Sequence, residues 1–121
     1  MQGDHCPHQE FTVMDKGEAI NMVKEYSRLL KSYLPLEKVY LYGSYAKNTQ
    51  QADSDIEVAI VVNRFDGDYF SIHPLLWKLR RQIDDRIEPI LIERENDRGG
   101  FLLEIQKEGI EIMWDLATFI L

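Results

Sequence analysis

The chain has 121 residues, of which 45% are hydrophobic and 29% charged, the balance of one ordinary soluble domain with a modest core. Its formal net charge of −7 argues against a general nucleic-acid binder, which needs a positive surface to hold phosphates, but leaves open nucleotide binding through cations. No apolar stretch is long enough to span a bilayer and the polar N-terminus does not read as a signal peptide, while the single cysteine, Cys6, excludes an internal disulfide and suits a reducing cytoplasm.

Residues 1–14 read as a flexible N-terminal arm and 15–121 as a single domain. In the arm, His5-Cys6-Pro7-His8 holds metal-ligand residue types, but adjacent ligands are not a zinc-site spacing. Asp15 is the expected N-cap of a first helix, with Glu18 three residues on completing a capping box. Ala19, Val23, Tyr26, Leu30 and Tyr33 recur at spacings of four and three, which predicts an amphipathic helix over about 16–33 with both tyrosines in the core. Pro35 ends it. Lys38-Val39-Tyr40-Leu41-Tyr42 then reads as a strand of β-branched and aromatic residues.

Gly43-Ser44-Tyr45-Ala46-Lys47-Asn48 follows, and Asp53-Ser54-Asp55-Ile56-Glu57 leads into Val58-Ala59-Ile60-Val61-Val62. That continuous apolar run suits a strand buried on both faces. Residues 63–68 are a turn-rich loop. Ile72, Leu75, Leu76, Leu79 and Ile83 predict a second helix running to about Asp84, with Pro74 in its first turn, and His73 beside it belongs to the helix start. Lys78, Arg80 and Arg81 form a small solvated basic cluster or a contact for an acidic partner.

Arg86 to Glu93 reads as a third strand, which Pro89 confines to a sheet edge or a bulge. A loop at 97–100, a short helix over 101–107, a stop at Gly109 and a fourth strand over 110–114 complete the elements. The apolar tail over 116–121 needs a cover.

The chemistry concentrates after the first strand. Glycine at a strand end lets the backbone turn sharply and approach a ligand. A helical turn after Ser44 would present free N–H groups and a hydroxyl to phosphates, with Lys47 adding charge. Asp55 and Glu57, two apart at the head of a strand, point to one face, where a pair of carboxylates is costly unless a cation such as magnesium joins them. A phosphate cradle beside a carboxylate pair equips a chain for phosphoryl or nucleotidyl transfer.

Gly43-Ser44 followed at this distance by Asp55-x-Glu57 resembles the polymerase-β-like nucleotidyltransferase superfamily, and Ser54-Asp55-Ile56-Glu57 before an apolar run is similar to its minimal nucleotidyltransferases. The motif covers residues 42–62, and the order of elements extends the likeness over about 16–93. The resemblance implies an α/β (α+β) fold, a small mixed sheet with flanking helices. It implies transfer of a nucleoside monophosphate, AMP from ATP, to a hydroxyl, with two magnesium ions and a HEPN-family toxin as partner, a tyrosine of that partner being the acceptor.

It also implies that Gly43, Ser44, Tyr45 and Lys47 bind the nucleotide. Asp55 and Glu57 hold metal and act in catalysis, together with a third carboxylate from a later strand, for which Glu88 is the candidate. Arg86 touches phosphate or pairs with an acid. Tyr45 and Asn48 stand where many relatives carry a basic residue and a glycine, and Asn tolerates the left-handed backbone expected there. The rival readings are a non-catalytic module that neutralises a partner by binding, and a small-molecule modifier lacking its second domain. A homo-oligomer is compatible with either.

Overall fold

The computed structural model describes residues 13–97 and 99–114. Helix α1 (Lys16–Leu30) opens with the capping box the sequence encodes: Glu18 N–H donates to Asp15 Oδ1 at 2.8 Å, and Asp15 N–H to Glu18 Oε1 at 3.4 Å. Its buried stripe is Ala19, Val23, Tyr26, Ser27 and Leu30. Tyr33, expected in the core, lies outside it and is 49% exposed. The helix ends at Leu30, and in the turn that follows Leu34 takes the buried position, its N–H still bonded to Leu30 O.

Strand β1 (Lys38–Tyr42) leads into the four-residue helix α2 (Ser44–Lys47), then β2 (Ile56–Val62), α3 (Tyr69–Leu79), β3 (Ile87–Glu93), α4 (Phe101–Glu108) and the short β4 (Ile110–Glu111). The sheet order is β3-β2-β1-β4. β1 runs antiparallel to β2 and β4, whereas β2 and β3 are parallel. This is an α+β mixed sheet. Its central strand β2 is apolar on both faces, as its unbroken hydrophobic run predicts.

The larger core lies on one face, where Val39, Leu41, Ile56, Val58, Ile60 and Val62 meet α1, α3 and Tyr45. Tyr26 Oη, buried, donates to Leu76 O at 2.7 Å and ties α1 to α3. On the other face Tyr40, Ala59, Val61 and Ile92 meet Leu102 and Ile105 of α4. Period-two alternation sends odd and even strand residues to opposite helix layers.

Pro89 sits on β3, which pairs only with β2 among the described residues, so the edge placement holds and the ladder runs through it without a bulge. Pro74 is a correction. α3 begins at Tyr69, capped by Asp68, whose Oδ1 accepts from Phe70 N–H at 2.9 Å, so proline falls at the sixth helical residue and His73 inside the helix. The third strand, the helix after it and Gly109 at that helix's end stand within a residue of expectation. β4 is shorter than predicted, though Ile112 N–H still reaches Val39 O at 2.8 Å. The 1–12 stretch with its His-Cys-Pro-His run and the 115–121 tail lie outside the described residues. No helix among those described is long and apolar enough to cross a membrane.

Candidate active site

Three strand ends meet at one end of the sheet. Tyr42 on β1 is the register partner of Glu57 on β2, and Glu57 is the register partner of Glu88 on β3. Tyr42, Glu57 and Glu88 therefore stand in one row on the α4 face of the sheet. Asp55, one residue ahead of β2, extends the row's edge. The turn that presents it is closed by Ser54, whose Oγ accepts from Gln51 N–H at 2.8 Å and whose N–H donates to Gln51 O at 3.1 Å. Ile56 N–H then bonds Arg86 O at 2.8 Å, clamping the head of β2 to the head of β3.

Gly43 is shaped by two demands. Its φ of 76° and ψ of −149° lie in a region that side chains avoid, and a Cβ there would come within 1.9 Å of Glu57 Oε2. The Glu57 carboxylate thus lies directly against the bare Gly43 backbone. Asn48 closes the helical turn with φ 62° and ψ 34°, the left-handed conformation expected of it.

The acids crowd one another. Burial pushes the Glu57 carboxyl up, the charge of Asp55 raises it further, and Lys47 works against both. Glu88 is raised chiefly by its hydrogen bond with Asp55, then by burial and by the charges of Asp55 and Glu57, with Arg80 opposing. Tyr42 is pushed up to about 12 by burial and by the two glutamates. Each group reports an excess of negative charge in a partly desolvated corner.

That donor set, carboxylate oxygens only, fits a hard divalent cation such as magnesium, whose charge would relieve the repulsion. Among the described residues no three acidic, histidine or cysteine side chains are already drawn together as a metal-holding group. Asp55 and Glu88 lie close enough to share a proton, the place a cation would take, while Glu57 lies against Gly43.

The other expected site residues divide. Gly43 borders Glu57 and Ser44 follows it as the first residue of α2, but the Tyr45 side chain is fully buried in the α1-side core, so only its main chain remains available to a ligand. Lys47 is exposed, and its Nζ pairs with Glu108 Oε1 of α4 at 2.9 Å. Arg86 is engaged with Asp84, Nε to Oδ1 at 3.0 Å and Nη2 to Oδ2 at 2.9 Å; of the two roles expected for it, the structure displays the acid pair.

Sequence reasoning placed Arg80 with Lys78 and Arg81 in a solvated basic cluster or a contact for an acidic partner, and the structure corrects the solvated reading. Arg80 is half-buried rather than solvated, donates from Nη1 to Ile87 O at 2.9 Å and stacks 4.4 Å over the Trp77 ring. The sequence predicts the helix that becomes α4 but not its place beside the site, where its Phe101 packs edge-on against Tyr42 with centroids 6.1 Å apart. Neither carries a local signal, because both reach the site through packing.

A mixed sheet with a glycine-serine turn and acidic side chains gathered at one end defines a nucleotidyltransferase. The chain belongs to the family described as polymerase beta, nucleotidyltransferase, whose profile its residues 24–115 match. Over 99 residues it is 27% identical to a Methanocaldococcus jannaschii chain described as a candidate protein adenylyltransferase, covering 78% of this chain and 99% of that one. A solved candidate nucleotidyltransferase from Sulfolobus solfataricus, 20% identical, superposes with a TM-score of 0.57 over 79% of this chain and 80% of its own, which shows the shared fold. A chain of a toxin–antitoxin complex crystallised with AMP-PNP, 25% identical, gives 0.59 over 76% of this chain and 72% of its own.

Proposed function

We propose that this nucleotidyltransferase moves AMP from ATP, with magnesium, onto a tyrosine hydroxyl of a HEPN-type toxin partner and so acts as an antitoxin. The observation that carries this reading is the gathering of Asp55, Glu57 and Glu88 on one face beside Gly43-Ser44. The adenylyltransferase description of the archaeal relative supports AMP as the group transferred. The toxin–antitoxin complex with AMP-PNP supports an adenine nucleotide and a toxin–antitoxin pairing, while the HEPN class of the partner rests on the motif's resemblance to the minimal nucleotidyltransferases.

Ser44 and the main chain around Gly43 hold the triphosphate, with Lys47 joining once it leaves Glu108. Asp55, Glu57 and Glu88 hold magnesium, which when bound neutralises charge on the phosphates. Glu88 orients the incoming hydroxyl and receives its proton. The oxygen of that hydroxyl bonds to the α-phosphorus, the bond to the β-phosphate oxygen breaks, and pyrophosphate leaves.

Intact-mass spectrometry of the HEPN partner, incubated with this chain, ATP and magnesium, tests the proposal. Mass gains in whole AMP units, absent with Asp55→Asn, are expected. A tight complex with no mass gain would refute AMP transfer to that partner and leave neutralisation by binding.

A further inference from the structure

Below the row of acids, α4 and the end of β1 enclose a cleft of about 140 Å³ lined by Tyr42, Gly43, Lys47, Phe101, Glu104, Ile105 and Glu108. Three of these residues come from the strand end and helical turn that carry the Gly-Ser motif. The other four are one face of α4, at positions 101, 104, 105 and 108. The volume falls well short of the roughly 300–1,000 Å³ that encloses a whole drug-sized ligand, and suits one flat ring system.

The lining is graded. Its floor is apolar, with Ile105 buried and Phe101 41% exposed and held edge-on against Tyr42. One end is closed by the Lys47–Glu108 ion pair. Glu104 adds an exposed carboxylate at the rim, and an ionised carboxylate only accepts hydrogen bonds.

We propose that this cleft is the nucleobase subsite of the nucleotidyl-transfer site, with Phe101 as its stacking ring and Glu104 as an acceptor for an exocyclic amino group of the base. The inference rests on the nucleotide reading above and deepens it. It accounts for an aromatic side chain left exposed beside an acidic corner, and it gives adenine a reason to be chosen. The N6 amino group of adenine donates to Glu104, whereas the carbonyl at the same place in hypoxanthine would face it acceptor to acceptor.

The test is equilibrium binding to the full chain, with magnesium, of three probes: ATP, ITP and inorganic tripolyphosphate. Phe101→Ala should weaken ATP about five- to hundredfold, the range for removing one aromatic–base stack, while tripolyphosphate binds as before. Phe101→Trp should restore ATP. Glu104→Gln, which can donate as well as accept, should erode the preference for ATP over ITP. The subsite is overturned if Phe101→Ala leaves ATP affinity unchanged, or weakens tripolyphosphate equally, since the latter marks damage to the fold. It is also overturned if the wild-type chain binds ATP and ITP alike. Failure of every probe to bind the wild-type chain would instead remove the nucleotide reading on which it stands.

Discussion

Replacing Gly43 by alanine attacks the site at its tightest point. At φ 76° and ψ −149° the backbone occupies a region essentially reserved for glycine, and holding a side chain there costs about 1–3 kcal/mol. The new Cβ would stand 1.9 Å from Glu57 Oε2 and 2.7 Å from its Cδ, so the Glu57 side chain must leave its position. Because that chain is flexible, the displacement adds the cost of an off-rotamer torsion, about 0.5–1.5 kcal/mol.

Urea denaturation of Gly43→Ala should therefore show a loss near the sum of the two, and nucleotidyl transfer should fall further than the folded fraction does. Placing the same change on a Glu57→Ala background separates the terms: the clash disappears and the backbone strain remains, so the loss should shrink toward the first figure. A Gly43→Ala chain as stable as wild type would refute the account of Gly43. An unchanged loss on the Glu57→Ala background would refute the contact.

Asp84 is held below the usual aspartate range chiefly by its hydrogen bond from Arg86. A depressed carboxyl contributes stability above its unfolded pKa, near 4, that is lost as pH falls through its lower folded value, so the stability gap between wild type and Asp84→Asn should close on acidification below about pH 4, followed by urea midpoints. Tyr26→Phe removes the 2.7 Å bond to Leu76 O, which keeps the Arg80 N–H as donor, so the loss should be about 1 kcal/mol by thermal melting, and no loss would argue against that bond as a tie between α1 and α3. Gly109→Ala would set a Cβ 2.6 Å from Ile105 O and 3.1 Å from Leu41 O; since main-chain atoms cannot turn aside, about 1–3 kcal/mol should be lost, and an unaffected chain would contradict so close an approach of α4 to β1.

Much of this protein follows from local rules. Asp15 and Glu18 specify where α1 starts, because capping needs only neighbours in sequence. The unbroken apolar run at 58–62 specifies a central strand, and Pro89 an edge, because hydrogen bonding and burial leave marks on composition. The Gly-Ser turn and the Asp55-x-Glu57 pair were legible for the same reason: glycine there answers a backbone demand, and residues two apart on a strand share a face.

What the sequence left open depends on distances between elements. Tyr33 and Leu34 compete for one buried position, and the point where the helix ends decides between them. Tyr45 belongs to the core because α2 packs against the α1-side face of the sheet, and nothing in its neighbours announces that.

The proximity of Glu88 to Asp55 and Glu57 is a matter of register. A slip of one residue between β2 and β3 would turn Glu88 to the opposite face. Arg80 reaches the head of β3, and Phe101 the ring of Tyr42, across folds of chain that no local pattern encodes. The sequence by itself determined which residues would carry charge and where the chain would turn. Only the tertiary structure decided which charges face one another, because strand pairing and helix packing join residues that are far apart along the chain.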